Sequence, residues 1–425
     1  MKLRNQLLAL CCLLFFAAFG FLYVRTWVAP KTFAIILFVS DGMVARHLTA
    51  ARLYEAGAAH RLNLETFPNL ALLRNPARDF AVPDAASAAT ALATGERVAH
   101  RRLAVDGRGK ALSSLLELAR AQGRAVGLVT SDALSAPTPA AFYAHAGDSR
   151  DGEQLIQQFM EQARLDVVLG GGAGDFLPIA KGGRRTDDRD LLAELQGKGW
   201  ELVRTKAELE NAAPYRTGTI AGFFSNDQLA PSNQIESGSQ QPSLADMVRR
   251  AIEFLQVDGQ GYVLVVDASL ATTAAERNEG ESVIAETLAL DHAIATARRY
   301  AGENSLILAV GKHATGGMSL NGYPLIEDHG VALLGVNAAG QPAITWATGP
   351  NGPPPPAPPA PPSAGPDSAA PSKPAGSKTE PAAFHAPSAL NTAEDVIAVG
   401  DGPGAERLRG FIDNTEIFRI LKDAL

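Results

Sequence analysis

The stretch FAIILFVSDGM (residues 33–43) decides the fold expected of this chain. An apolar, β-rich run ends at an acidic residue followed by glycine, which predicts a buried parallel strand that carries Asp41 to the carboxyl edge of a sheet. Strand-like apolar runs follow at residues 125–130, 167–170, 262–266 and 306–310 and alternate with helical patterns. This alternation predicts an α/β fold with a mainly parallel central sheet flanked by helices.

Length and composition favour one large enzyme-type domain. The chain has 425 residues, 46% of them hydrophobic, which is enough for a large core. Its formal net charge of -7 provides no basic face, so no nucleic-acid partner is expected. Residues 181–244 are polar and mixed, and we expect them to lie at the rim of a functional site.

The N-terminal residues 1–30 form a separate segment. Lys2 and Arg4 precede an apolar run over residues 7–24, and Arg25 follows it. This pattern predicts an export signal that is also long enough to remain as a membrane anchor. No small-x-small cleavage site is evident, so we expect an uncleaved anchor with the domain outside the cytoplasm, on the periplasmic or cell-surface side. Both cysteines lie inside this segment, so no disulfide is expected in the exported domain.

A proline-rich tract occupies residues 349–388 and holds about half of the chain's prolines. Its composition predicts an extended, disordered insertion with polyproline segments. The insertion separates a domain at residues 31–348 from its C-terminal completion at residues 389–425. It is either a tolerated surface insertion or a docking segment for a protein partner.

Further motifs follow the first strand in a characteristic order. They include VPDAASAATALATG (residues 82–95), LILAVGKHATGGMSL (residues 306–320) and GPGAERLRGFIDNTEIF (residues 402–418). Together these segments resemble an alkaline phosphatase over nearly everything from residue 33 onward except the proline-rich tract. The resemblance implies a three-layer sandwich and a site in which a serine attacks the phosphoryl group, with two zinc ions and a nearby magnesium ion. Members of the family often form homodimers, although no dimer surface can be read from this sequence.

The nucleophile of the family is absent from the matching position. The family motif Thr-Asp-Ser-Ala corresponds here to Pro83-Asp84-Ala85-Ala86, and Ala85 cannot form a phosphoseryl intermediate. Ser87 lies two residues further on, where a helix turns the side chain through roughly 200°. We therefore expect Ser87 to face away from the site.

The positions that match one zinc site of the family have also changed. The resemblance places Thr272 at the aspartate ligand, Glu276 at the first histidine and Asn391 at the last histidine. Zinc commonly takes four ligands from Cys, His and carboxylates, and one carboxylate between Thr and Asn is a poor set. Zinc is not expected here, and His385 in the proline-rich tract is the one candidate to replace the lost histidine.

The second zinc site keeps Asp41 and His313 but has Lys312 at an aspartate position. An ammonium cannot ligate a metal, yet it can lie against carboxylates as a fixed positive charge. We therefore hypothesise that Lys312 replaces the zinc charge and pairs with Asp41 or Asp84; the alternative is that it extends to solvent. His313 is either a remaining metal ligand or a hydrogen-bonded structural histidine.

The magnesium and phosphate positions are better preserved. The family's magnesium ligands correspond to Asp41, Thr138 and Asp267, three oxygen ligands that would allow weak Mg²⁺ binding. Arg150 matches the arginine that clamps phosphate, so a phosphoester or another anion is the expected ligand. The alternative for Arg150 is a solvated charge in a polar loop.

Three functions are compatible with these residues. The first is an exported pseudophosphatase that keeps the fold and binds rather than hydrolyses. The second is an active metal-dependent phosphomonoester hydrolase in which magnesium orients a water for direct attack, without the serine. The third is a structural envelope protein whose partner uses the proline-rich tract.

Overall fold

The computed structural model describes residues 2–23, 33–322, 329–330, 334–336, 340–353 and 380–425. The strands in this part of the chain are β1 (Ala34–Ser40), β2 (Asn69–Arg74), β3 (Ala125–Ala133), β4 (Val167–Gly171), β5 (Glu201–Val203), β6 (Ile220–Phe223), β7 (Tyr262–Ala268), β8 (Ser305–Gly311), β9 (Ala314–Thr315), β10 (Ser319–Leu320), β11 (Ile344–Gly349), β12 (Ala382–His385), β13 (Asn391–Thr392), β14 (Val396–Asp401) and β15 (Arg409–Asp413).

The α-helices are α1 (Lys2–Tyr23), α2 (Ala45–Ala56), α3 (Ala85–Thr94), α4 (Leu115–Ala121), α5 (Pro137–Ala140), α6 (Gly152–Glu161), α7 (Ala173–Phe176), α8 (Leu191–Gly197), α9 (Lys206–Asn211), α10 (Pro214–Thr217), α11 (Ser232–Glu236), α12 (Leu244–Leu255), α13 (Leu270–Glu276), α14 (Gly280–Tyr300) and α15 (Thr415–Ala424).

A ten-stranded sheet in the order β15-β2-β14-β8-β1-β7-β3-β4-β6-β5 forms the centre of the fold. Its neighbouring strands are parallel except for β14, which runs antiparallel to β2 and to β8. The expected mainly parallel sheet is therefore confirmed. Each strand-like run named from the sequence lies within one of its strands: β1, β3, β4, β7 or β8.

Both faces of the sheet are covered, which explains why β1 is buried along its whole length. Ile36 and Phe38 pack into a core shared with α12 and α14, whereas Ile35 and Leu37 pack into a second core that includes residues of α3, α4 and α15. Alternation of side chains across a strand requires this division. The result is the predicted three-layer sandwich.

The parallel strands bring the polar residues to one edge. Ser40, the last residue of β1, pairs in register with Ala268 of β7 and Gly311 of β8. Parallel strands end at the same sheet edge, so the residues that follow them, Asp41 and Lys312, meet there.

Two expectations need correction. Residues 181–244 do more than line a rim, because they supply β5 and β6, which end the sheet on one side. The predicted disorder of residues 349–388 does not extend to Ala382–His385, which forms β12 and pairs with β11, while residues 354–379 lie outside the described residues. Trp346 N–H donates to Pro381 O at 2.9 Å, and such main-chain bonds give the end of the tract a fixed place in a small sheet.

The N-terminal boundary stays a prediction, since residues 24–32 are outside the described part of the chain. Helix α1 leaves apolar side chains such as Leu13 and Phe16 exposed. No helix among the described residues meets the length and apolarity needed to cross a membrane.

Candidate functional site

Lys312 and Asp41 meet at the centre of the sheet's carboxyl edge. The Lys312 ammonium lies 2.7 Å from Asp41 Oδ1, and the two side chains are 1% and 4% exposed. The ammonium also donates a hydrogen bond to Thr138 Oγ1, at the start of α5. The Lys312 backbone is held by a bond from its N–H to Ser40 O at 2.8 Å and by Asn75 Nδ2, which donates to Lys312 O at 2.9 Å. The hypothesised pairing of Lys312 with Asp41 is thus present.

Asp267 is buried beside this pair and has its own hydroxyl partners. Thr130 Oγ1 donates to Asp267 Oδ2 at 2.7 Å, and Ser269 Oγ donates to Oδ1. Burial raises the pKa of Asp267 to about 7, against the opposing effect of the Lys312 charge. The sequence pointed to Asp267 but not to Thr130 or Ser269, although Thr130 lies in the second half of β3 and Ser269 directly follows β7, two strands that the parallel sheet brings to this edge.

His313 is turned toward Asp41 and is held on its other side by a hydroxyl. Its Nε2 lies 3.8 Å from Asp41 Oδ1, and its Nδ1 lies 3.5 Å from Thr315 Oγ1. Thr315 Oγ1 donates its proton to Asn391 Oδ1 at 2.8 Å, while Asn391 Nδ2 donates to Pro83 O at 3.0 Å. Since the Thr315 proton is used, any bond between Thr315 and His313 requires a proton on Nδ1.

With its proton on Nδ1, the His313 ring presents Nε2 as an acceptor. Burial lowers the pKa of His313 to about 4, so the ring is neutral near pH 7. Nε2 is buried and has no hydrogen-bond partner in the described part of the chain. Asn391, at the family's histidine position, uses its amide to join β13 to the loop before α3.

Thr272 and Glu276 lie four residues apart on α13 and therefore share one face of that helix. Thr272 Oγ1 is buried without a hydrogen-bond partner among the described residues. Burial raises the pKa of the half-buried Glu276 carboxyl, and the negative charges of Asp41 and Asp132 raise it further. The Glu276 carboxyl thus lies within electrostatic reach of Asp41, and the neighbouring Arg277 charge acts on it in the opposite sense.

Asp132 is a site residue that the sequence reasoning missed. It follows Ser131 near the end of β3, and its Oδ1 accepts a bond from Ala133 N at 2.7 Å. Burial raises the pKa of Asp132, the Lys312 charge lowers it and the Asp41 charge raises it. Its position near the end of β3, a parallel strand next to β7, is the feature that could have identified it.

The loop and helix that match the family's nucleophile motif have the expected geometry. Asp84 is the N-cap of α3, its Oδ1 accepting from Ser87 N at 2.8 Å, and Ala85 is the first helical residue. Ser87 Oγ accepts from Asp84 N at 3.2 Å, completing a capping box. Ser87 Oγ therefore takes part in the cap of α3, while its orientation relative to the site stays a prediction.

Arg150 is exposed and already paired. Its Nε and Nη2 contact Asp148 Oδ1 and Oδ2 at 3.1 and 2.7 Å, which is the bidentate arrangement that a phosphate would require. The bonds from Arg150 hold the pKa of Asp148 down at about 2. An anion would have to displace this carboxylate. His385, the other outlying candidate, lies on β12 with its side chain exposed.

The residues do not fit the family's metals as they are arranged. Two of the three positions assigned to Mg²⁺, Asp41 and Thr138, contact the Lys312 ammonium, and the third, Asp267, accepts from two hydroxyls. Within the described ranges no group of three or more His, Cys, Asp or Glu side chains is placed to hold a metal ion. The Lys312 ammonium already lies 2.7 Å from Asp41 Oδ1, so Coulomb repulsion disfavours the binding of a metal cation to Asp41.

The family model for alkaline phosphatase matches residues 33–425 of this chain. Alkaline phosphatase 4 of Bacillus subtilis is 28% identical over 372 residues, covering 81% of this chain and 77% of that protein. Streptomycin-6-phosphate phosphatase of Streptomyces griseus is 29% identical over 334 residues, covering 67% of this chain and 74% of that protein.

Solved structures show the same fold. The alkaline phosphatase of the Antarctic bacterium TAB5 superposes with a TM-score of 0.72 at 22% identity and covers 93% of this chain and 98% of its own. The Thermus thermophilus enzyme gives a TM-score of 0.73 at 22% identity, with coverage of 93% and 92%. A variant of the TAB5 enzyme was solved with Mg bound in its M3 site.

The fold and the arrangement of the sheet edge define this chain as a protein of the alkaline phosphatase class. The match over residues 33–425 makes the assignment specific: the chain belongs to the alkaline phosphatase family.

Proposed function

We propose that this protein is a pseudophosphatase, a family member that keeps the fold and a buried polar site but does not transfer phosphoryl groups. The observation that carries the proposal is the Lys312 ammonium, 2.7 Å from Asp41 Oδ1 and bonded to Thr138. A fixed cation stands where the resemblance expects metal ligands. It supplies positive charge to Asp41 but offers no open coordination site to polarise a phosphoryl oxygen.

Three further features support the loss of chemistry. Ala85 has no hydroxyl to attack phosphorus, and Ser87 Oγ is bonded within the cap of α3. Asn391, at a zinc-ligand position, has its amide oxygen and nitrogen bonded to Thr315 and Pro83. Phosphoryl transfer depends on positioning and charge neutralisation, so the combined changes remove its main sources of rate.

The second candidate is an active hydrolase, which the relatives' phosphatase activity favours. It would need a water nucleophile activated at Asp267, the buried carboxyl whose pKa is raised to about 7. Both Asp267 oxygens already accept bonds from the hydroxyls of Thr130 and Ser269, which favours the pseudophosphatase over this use of Asp267 as a base.

The deciding experiment is hydrolysis of a generic aryl phosphate by the purified protein in Zn²⁺ and Mg²⁺. An Asp41→Ala variant that is purified in the same way serves as the control, because activity that remains in it comes from contaminating phosphatase. Equal, background rates in both proteins are expected. Turnover that disappears in the variant would establish a hydrolase and refute the proposal.

We also propose that the protein is exported and held at the membrane by residues 1–30. The exposed apolar side chains of α1, among them Leu13, Phe15 and Phe16, support this location because a contiguous apolar surface is costly in water. Cell fractionation with and without residues 1–30 tests the proposal: the intact chain should follow the membrane fraction. Recovery of the intact chain in the soluble cytoplasmic fraction would contradict it.

A further inference from the structure

His145 lies outside the site at the sheet edge, with its ring between two oxygen atoms. Its Nδ1 is 3.0 Å from the backbone oxygen of Ala104, and its Nε2 is 2.9 Å from Glu117 Oε1. A backbone oxygen and an ionised carboxylate only accept hydrogen bonds, so each ring nitrogen needs a proton to bond both. A neutral ring has one N–H, and in either tautomer its other nitrogen turns a lone pair toward an oxygen. These contacts therefore fit the imidazolium form of His145.

The groups around the ring are fixed by further hydrogen bonds. His145 N donates to Gln158 Oε1 at 2.9 Å, and Gln158 Nε2 donates back to His145 O at 2.8 Å. Glu117 Oε2 accepts from Ser114 N at 2.8 Å within the capping box of α4. Glu117 cannot turn away from a neutral His145 without giving up this cap. Deprotonation of His145 therefore removes one of the two bonds of the ring.

Ala104 belongs to a segment, residues 101–112, whose backbone is strained at the point that His145 contacts. The φ angle of Ala104 is 46°, in the left-handed region that a residue with a Cβ disfavours. Ala104 N donates to Thr90 Oγ1 on α3 at 3.0 Å, and Leu103 exchanges two backbone bonds of 2.9 Å with Ala146. Strain of this kind persists only where surrounding contacts enforce it, and the bond from His145 is one of them.

The same segment is bonded to residues at the carboxyl edge of the sheet. Arg101 N donates to Asp84 Oδ2 at 2.6 Å, and Asp84 is the N-cap of α3. Ser149 N donates to Arg101 O at 2.7 Å, and Arg150 is the next residue. Residues 101–112 therefore adjoin the positions that the family resemblance assigns to the nucleophile and to phosphate binding.

Glu117 is the charged group that favours the imidazolium. Its hydrogen bond raises the pKa of His145, burial opposes this effect, and the bond with Ala104 O raises the pKa further. Glu117 faces the ring from α4, the Ala104 carbonyl faces it from residues 101–112, and α6 contributes the neutral Gln158. Because the pKa is raised, these bonds stabilise the fold fully below the ordinary value of 6.5 and are lost as the pH rises through the folded value.

We propose that His145 is a pH-sensitive clasp, whose imidazolium keeps residues 101–112 bonded to α3 and α4 and whose deprotonation releases them. The side chain of His145 is 16% exposed, so water can take the proton. The N–H bond of one ring nitrogen breaks, its electron pair stays on that nitrogen, and the hydrogen bond to Ala104 O or Glu117 Oε1 is lost. The clasp is independent of whether the protein hydrolyses phosphoesters.

Hydrogen exchange of the full-length protein tests the clasp, with peptides from residues 101–112 followed by mass spectrometry between about pH 5.5 and about pH 9. Each rate is divided by that of the same peptide in unfolded protein, which removes the intrinsic effect of pH on exchange. Protection of the segment should fall at least about tenfold as the pH rises, because a hydrogen bond to a charged group is lost. Peptides from β1 should stay protected, and an equal fall in β1 would overturn the clasp because the whole fold would be loosening.

Two variants separate the contribution of the histidine from that of its carboxylate. Glu117→Gln removes the charge but keeps an oxygen, so the loss of protection should move to lower pH. His145→Gln has no titrating ring and should show low protection of the segment at every pH. His292→Gln, which replaces an exposed histidine on α14, is the matched control and should follow the native profile. A flat native profile, or one that Glu117→Gln does not shift, overturns the proposal even if His145→Gln fails to fold.

Discussion

Lys312 Nζ lies 2.7 Å from Asp41 Oδ1 in a buried ion pair formed by the ends of β8 and β1. Burying two charges costs several kcal/mol per ion, and the cost is offset only when the partners stay together. The hydrogen bond from Lys312 to Thr138 further fixes the ammonium. The ion pair therefore links the ends of β1 and β8, and its positive charge comes from the Lys312 side chain.

Removing the ammonium should strongly destabilise the protein. Lys312→Met leaves Asp41 buried and uncompensated, and we expect a loss of about 3–5 kcal/mol in the free energy of unfolding, measured by urea denaturation with a spectroscopic probe. The double variant Asp41→Asn with Lys312→Met removes both charges and should recover part of the loss. Unchanged stability in Lys312→Met would show that the ion pair is not important for folding.

Metal removal should leave the native protein unaffected. Because Lys312 supplies the positive charge near Asp41, EDTA should not change the thermal unfolding midpoint, and added Zn²⁺ should not raise it. Lys312→Asp, in contrast, places two carboxylates beside His313 without a cation. We expect this variant to be less stable in EDTA and to regain stability when Zn²⁺ is added. A fall in the midpoint of the native protein with EDTA would mean that a bound metal contributes to its stability.

Restoring the nucleophile alone should not restore hydrolysis. Ala85→Ser returns a hydroxyl to the first residue of α3, but Lys312, Thr272 and Asn391 still occupy metal-ligand positions. We expect aryl phosphate hydrolysis by Ala85→Ser to stay at the background of the native protein. The positive control is a variant that has the family's residues at the nucleophile and metal-ligand positions. It combines Ala85→Ser with Lys312→Asp, Thr272→Asp, Glu276→His and Asn391→His. Activity in the single variant would show that the present residues already stabilise the transition state.

The fold was predictable because its signals are local and repeated. The apolar run before Asp41 is buried along its whole length, and parallel pairing then determines where its last residue lies. The pairing of Lys312 with Asp41 was accessible for the same reason. Asp132 was not, since its role depends on how far β3 extends past Thr130, and strand ends are poorly defined by sequence. The strand at Ala382–His385 was not predicted, because the proline-rich composition around it indicates disorder more strongly than four residues indicate a strand.

A pH dependence that involves none of the Asp41, Lys312 and Asp267 charges should come from Glu286 on α14, whose pKa is affected by burial, by Ser232 and by Glu236. Ser232 N and Oγ donate to its two carboxyl oxygens at 2.7 Å each, and burial raises its pKa from 4.5 to about 7. A carboxyl whose folded pKa is raised stabilises the fold fully below the unfolded pKa, and this contribution is lost as the pH rises through the folded value. The contribution of Glu286 to the free energy of unfolding should thus fall between about pH 4.5 and 7 by up to about 3 kcal/mol. Glu286→Gln imitates the protonated carboxyl. Urea titrations of this variant at several pH values should therefore lack the Glu286 contribution to the fall in the free energy of unfolding. An identical pH profile in the variant would assign the pH dependence to other groups.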